Sequence, residues 1–285
     1  MAKKVTVEQM LETGMHFGHQ TFRWHPNMRP YIFDSRDGIH IIDLAKTSEK
    51  LKDALNFVEQ LGREGGNILL VGTKRQASSS IAEIAKANKL PYVADHWPGG
   101  LLTNFSSIKS RIRFLKQLRD KMAKKDFGDM TKKEIGLMEK KLAVLEMSFG
   151  GLDVLDELPE AIFVVDVIRE KIALREAQKI GIPIIAIVDT NANPEGIDFV
   201  IPANDDAKQG ILLILQAIIG AFVAERKTKA QIAAENDQEE ESLISEPELE
   251  EVLSQKEVVE VIAKQEQKAD AKESSSKVKK TNINQ

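Results

Sequence analysis

The sequence predicts an α/β protein built on a doubly wound parallel sheet, and three observations carry that prediction. Short runs that are apolar throughout and rich in β-branched residues lie at Asn67–Val71, Ala161–Val165 and Ile184–Val188. A strand reads this way when helices cover both of its faces. Segments of helical spacing alternate with these runs, at Ser48–Arg63, Ser78–Ala87, Lys171–Lys179 and Asp206–Arg226. Strand–helix alternation is the signature of a parallel sheet. The third observation is an all-helical interruption between residues 104 and 150, which adds a second feature to the sheet domain.

The elements follow in chain order. Met1 to Lys4 run into a polar helical pattern without the apolar core of a secretory leader, so none is expected. Met15 to Pro30 (MHFGHQTFRWHPNMRP) is read as a loop bearing glycine and prolines, with three histidines, Arg23, Arg29, Phe17, Phe22 and Trp24 and no acidic residue. Cations meet phosphates and rings stack on unpaired bases, although Phe22 and Trp24 serve equally well as core anchors. Tyr92–Ala94 and Phe199–Ile201 are weaker strand candidates, and Asn204, Asp205 and Asp206 offer N-cap oxygens to the last helix. That helix holds the longest apolar run, Ile211–Val223, which Gln216 breaks and which is short for a bilayer span.

Within the interruption, Ile108, Ile112, Leu115 and Met122 form one stripe, with Leu118 close by. Ile135, Met138, Leu142, Leu145 and Phe149 form another, and the turn-rich Lys125–Asp129 separates the two. Two facing helices predict an antiparallel coiled-coil hairpin at about 104–150. Arg111, Arg113, Lys116, Arg119, Lys121, Lys124 and Lys125 decorate its first helix, as a solvated surface or as a face for RNA.

Charge divides the chain. Residues 231–285 hold 7 basic and 14 acidic side chains; residues 1–230 hold 33 and 30, and residues 101–150 hold 12 and 6. The total of −4 therefore conceals a mildly basic body. From Gln231 onward Glu, Gln, Ser and Lys dominate, which predicts a disordered acidic tail at 231–285. Within it, Leu249, Val252, Leu253, Val259 and Ile262 suit a transient amphipathic helix over 246–268. The chain has no cysteine, which removes disulfides, thiolate zinc sites and thiol nucleophiles together and fits a reducing, cytoplasmic setting.

A search for chemistry finds none that holds. No Gly-x-Gly-x-x-Gly follows a strand, and Gly62, Gly65 and Gly66 precede theirs. Gly72-Thr73-Lys74-Arg75-Gln76-Ala77 lacks a P-loop ending, yet it brings two cations to a helix N-terminus, where anions such as a polynucleotide backbone are favoured, although two exposed loop cations are an equal reading. Asp189-Thr190-Asn191 and Asp166 end strands where ligands bind in such sheets, but these residues also simply make turns. His16, His19 and His25 suggest a metal; no acidic residue or cysteine completes the set in sequence, so none is expected.

Longer words remain. HFGHQTFRWHPNMRPYIFDSRDGIHIIDLAKT at 16–47, VGTKRQA at 71–77, WPGGLLTNF at 97–105, GIPIIAIVDTNANP at 181–194 and DFVIPANDDA at 198–207 stand in one order. Together they resemble the bacterial-type small-subunit ribosomal protein S-two family, and the likeness covers residues 5 to about 226. The resemblance implies a flavodoxin-like sheet domain with an inserted coiled-coil projection. It also implies binding to small-subunit rRNA and neighbouring ribosomal proteins, including the large mRNA-binding protein S-one, in the cytoplasm. Catalysis, cofactor, membrane and small-molecule substrate are not part of it. On the matched positions it implies RNA contact by His16, His19, Gln20, Arg23, Trp24, Lys74, Arg75, Thr103 and Asn104, with Arg111 and Arg113 less directly. Where the family usually has Arg-Trp-Leu-Gly-Gly this chain has His96-Trp97-Pro98-Gly99-Gly100, which puts one phosphate contact in doubt and stiffens the turn.

Overall fold

A computed structural model describes residues 5–226 apart from 126 and 129. The acidic tail and its amphipathic segment lie outside the described residues. Five parallel strands form the central sheet: β4 (Ile68–Val71), β5 (Tyr92–Val93), β6 (Ala161–Val165), β7 (Ile184–Val188) and β8 (Phe199–Pro202). Their spatial order is β5-β4-β6-β7-β8, so the first two strands exchange places at one edge. This is the 2-1-3-4-5 order of a flavodoxin-type doubly wound sheet.

Period-two alternation divides the strand side chains between two cores. Ile68, Leu70, Phe163, Ile185 and Ile201 face α2 (Leu44–Arg63), α3 (Arg75–Asn88) and α7 (Lys208–Glu225). Leu69, Val71, Ile162, Val164 and Ala186 face α6 (Lys171–Ile180) and the segment from Trp97 to Leu115. Both faces are covered, which is why β4, β6 and β7 carry no polar residue.

α7 has 18 residues and a mean hydropathy of 1.5, so by length and composition it reaches what a bilayer span needs, contrary to the sequence reading. Its apolar surface lies instead in the core, with Ile211, Ile214, Leu215, Ile218 and Phe222 buried against the sheet. The expected cap is also corrected. The N-cap of α7 is Ala207, with no side-chain cap bond, because Asp205 and Asp206 turn toward Lys74. At α2, by contrast, the Asp43 carboxylate accepts from Ala45 N and Lys46 N, which starts the helix at Leu44.

The N-terminal region is a second sheet rather than a loop. After α1 (Val7–Glu12), β1 (Phe17–Gln20), β2 (Ile32–Arg36) and β3 (Ile39–Ile42) pair antiparallel in the order β1-β3-β2. Asp37 and Gly38, both at positive φ, turn β2 into β3. Two 3-10 turns, Thr21–Arg23 and Pro26–Tyr31, link β1 to β2. Its anchors are Met15 and Met28, each fully buried and each in a different core, whereas Phe22 is 76% exposed.

The interruption consists of α4 (Phe105–Lys124) and α5 (Lys132–Phe149). Ile108, Ile112, Leu115 and Leu118 of α4 are buried, and on α5 only Phe149 of the predicted stripe is fully covered. The Arg119 guanidinium holds Glu146 in a two-pronged bond (2.7 Å on each oxygen) and Asp153 at 2.6 Å, joining the two helices to the turn after α5.

Candidate nucleic-acid interface

The carboxyl ends of β4, β6, β7 and β8 meet at one rim, where α/β sheets present their ligand-binding loops. β4 delivers Thr73 and Lys74, β6 Asp166, β7 Asp189 and Thr190, and β8 Asp205 and Asp206. Lys74 Nζ lies at the centre, 2.6 Å from Asp206, 2.7 Å from Asp205 and 3.4 Å from Asp166. Burial works against the ammonium, but its bonds to Asp205 and Asp206 outweigh this and raise its pKa well above that of an ordinary lysine. Burial, with repulsion from Asp189 and Asp166, pushes Asp205 up to about 7 despite that partner.

β1 lies across this rim. His19 N donates to Thr190 Oγ1 at 2.8 Å and His25 N donates to Thr190 O at 2.7 Å. Gly18 is needed here, because a Cβ on it would sit 2.5 Å from Thr190 Cγ2. The His19 ring reaches Asp189 with Nδ1 (3.1 Å) and Asp206 with Nε2 (3.7 Å). Asp189 is the main reason its pKa rises, burial opposing it. His16 is moved the other way, downward, by burial.

Carboxylates that sequence spacing did not place beside a histidine thus surround His19. Ligand atoms of His19, Asp205 and Asp206 lie within 4.8 Å of one another, a donor set suited to a divalent cation. Lys74 competes for that position with its own charge. The geometric argument against a metal at the histidines, the lack of an acidic partner, therefore does not survive folding.

The other expected residues fall in different environments. Gln20, Arg23, Arg75, Asn104, Arg111 and Arg113 are exposed. Arg23 stands 5.5 Å over the ring of Phe22, and Trp24 lies 5.4 Å from the ring of His40. Thr103 is tied inward to Glu176, with its N at 3.2 Å and its hydroxyl at 3.1 Å from the carboxylate. Folding thus brings His19 and Lys74 together, whereas Arg23, Arg75, Arg111 and Arg113 are exposed to solvent. No carboxylate among the described residues lies within ion-pair distance of Arg23, Arg75, Arg111 or Arg113. Asp205 and Asp206 organise the rim and Glu176 the separate turn that enters α4, and sequence reasoning gave these three no site role. Their partners stand dozens of residues away, so no local signal pointed to them.

Fold and rim define an α/β scaffold whose strand-end loops are closed by their own ion pairs, with the P-loop glycines of a nucleotide site missing. The comparisons with known proteins agree. The family described as Ribosomal protein S2 matches residues 10–225. The small ribosomal subunit proteins uS2 of Dehalococcoides mccartyi strains BAV1 and CBDB1 are each 46% identical over 237 residues, covering 82% of this chain and 97% of theirs. That of strain 195 is 47% identical over 217 residues, covering 76% and 89%. The chain belongs to the ribosomal protein S2 family, whose members are structural and not enzymes.

Proposed function

We propose that this protein is a cytoplasmic structural constituent of the small ribosomal subunit, and that its body (residues 1–230) grips folded small-subunit rRNA. The observation that carries the reading is the set of exposed guanidinium groups, Arg23, Arg75, Arg111 and Arg113, none neutralised among the described residues. Binding then proceeds by counterion release at phosphates and by shape recognition, with no bond made or broken. His16, His19, Gln20, Trp24, Lys74, Thr103 and Asn104 complete the interface, His19 and Lys74 by shaping the rim and Thr103 by tying its loop to Glu176, rather than by touching phosphate. α4 and α5 act as an antiparallel coiled-coil hairpin, with Arg111 and Arg113 on the solvent side of α4 where its buried face (Ile108, Ile112 and Leu115) still packs on the sheet domain. Neutralising Arg23 and Arg75 together is expected to weaken binding to a small-subunit rRNA transcript and to lower the salt slope by about 1.5, at roughly 0.7–0.9 per phosphate contact. Binding that is insensitive to both salt and these substitutions defeats the reading.

A protein-docking role is favoured by one further observation. Leu11, Phe17 and Phe33 are 55%, 48% and 71% exposed around a shallow cavity of about 420 Å³ that also takes in Ile39 and Ile41. Such a patch suits a protein neighbour, and the large mRNA-binding protein S-one is the partner the resemblance implies. Phe17→Ser with Phe33→Ser would then release that partner while RNA binding persists; simultaneous loss of both would count against separate faces.

A further inference from the structure

Glu176 is a buried carboxylate that the rim does not use. It projects from α6 with 8% exposure and accepts five hydrogen bonds, none from a cation. Its Oε1 takes Trp97 Nε1 (3.0 Å) and Gly100 N (2.8 Å); its Oε2 takes Leu102 N (3.1 Å), Thr103 N (3.2 Å) and Thr103 Oγ1 (3.1 Å). Every donor belongs to the turn from Trp97 to Thr103, which enters α4. Gly100, at φ +83°, bends that turn so that successive N–H groups converge on one point. A buried charge held only by neutral donors is an expensive way to fasten two segments, and an apolar contact would do so more cheaply. What it supplies beyond adhesion is a single geometry, because displacing the turn leaves several donors and a charge unpaired together.

We propose that Glu176 is a positioning residue for RNA recognition: it fixes the 97–103 turn so that Asn104 and the first turn of α4 face the nucleic acid in one orientation. The inference rests on the reading above that this loop contacts rRNA. The Thr103 hydroxyl is donated inward, so Thr103 is a latch and Asn104 is the outward group, its side chain making no cap bond to its own helix. Both segments sit on rigid elements, α6 against the sheet and α4 through the buried Ile108 and Ile112.

The test is a double-mutant cycle on the full chain, read as affinity for a small-subunit rRNA transcript at a temperature where circular dichroism shows every variant folded. Glu176→Gln keeps the size of the side chain but turns an amide NH2 toward donors, and is expected to weaken binding roughly tenfold, the equivalent of one charge-assisted bond. Combined with Asn104→Ala, the loss should not exceed that of the stronger single change, because both act through the same contact. Combined with Arg23→Ala, the losses should multiply. Thr103→Val, which removes only the hydroxyl latch, repeats the pattern more weakly and serves if Glu176→Gln is poorly folded. Glu176→Gln binding at full strength, or multiplying with Asn104→Ala, overturns the proposal. An Asn104→Ala variant with full affinity instead removes the loop from the interface, and the proposal falls with that earlier reading.

Discussion

Replacing Lys74 by Met keeps most of the aliphatic stem and removes the cation from three carboxylates. Of these, the Asp205 side chain is 3% exposed and that of Asp206 is 48% exposed, so the loss falls mainly on Asp205. Breaking a buried ion pair from one side costs about 3–5 kcal/mol. The lower end applies, because Asp206 remains hydrated and Asp205, already pushed up to about 7, can take a proton. A loss of about 3 kcal/mol, divided by a urea m-value of about 3 kcal/mol/M for a domain of this size, lowers the unfolding midpoint by about 1 M. The assay is urea unfolding at neutral pH, with a chelator present so that no divalent cation replaces the ammonium. Adding Asp205→Asn to Lys74→Met should recover most of the loss by removing the uncompensated charge. The neighbouring Arg75→Met is expected to change stability by less than about 0.5 kcal/mol while weakening RNA binding. An unchanged midpoint for Lys74→Met, or no recovery in the double variant, refutes the assignment of Lys74 as an internal lock.

Three further outcomes follow from named contacts. Gly18→Ala places a methyl 2.5 Å from Thr190 Cγ2 and 2.7 Å from its Oγ1, so β1 must lift from the rim; about 2 kcal/mol should be lost, and limited proteolysis should cut the N-terminal sheet sooner unless Thr190→Ala is added. Arg119→Met releases Glu146 and Asp153 from a half-exposed network and should cost about 1 kcal/mol, a fall of about 2–4 °C in Tm by calorimetry. Burial alone would raise the Glu176 carboxyl, but bonds from Trp97, Gly100, Thr103 and Leu102 outweigh it and hold its pKa below the ordinary carboxylate range. A depressed acid stabilises above its unfolded pKa and loses that contribution as pH falls through the folded value. The stability gap between the parent and Glu176→Gln should accordingly narrow as pH drops below about 4.5.

The sheet was legible because its strands are buried on both faces. Ala161–Val165 and Ile184–Val188 begin and end where their apolar runs do. The antiparallel sheet was not, because β2 is exposed at four of five positions and its residues follow no apolar alternation. Asp37-Gly38, a turn pair suited to positive φ, was the one local sign of it. Helix starts failed where distant charge intervened. Asp206 was expected inside the last helix, but Lys74, 132 positions earlier, draws it out so that the helix begins at Lys208. The acidic rim draws His19, Lys74, Asp166, Asp189 and Asp205 from five separated segments, and Glu176 meets its turn across more than seventy positions. Pairings of that kind are set by topology, and periodicity carries no trace of them.

The electrostatics of the rim also bear on which cations the proposed RNA interface would use. Asp166, Asp189, Asp205 and Asp206 converge on one ammonium and one half-buried imidazole. Even with Asp205 protonated, three carboxylates face one ammonium and one imidazole, so the centre of the rim repels a phosphate or at best ignores it. In the proposed interface, contact with RNA would then fall outward, on groups whose charge is not already used. Arg75 is such a group, adjacent in sequence to Lys74 but on the exposed side of the α3 N-terminus, and Arg23 is another. An interface assembled from neighbours of the rim rather than from the rim itself would let a chain of near-neutral body charge bind a polyanion, as proposed above: its acids are turned inward on each other, and Arg23 and Arg75 are left outside.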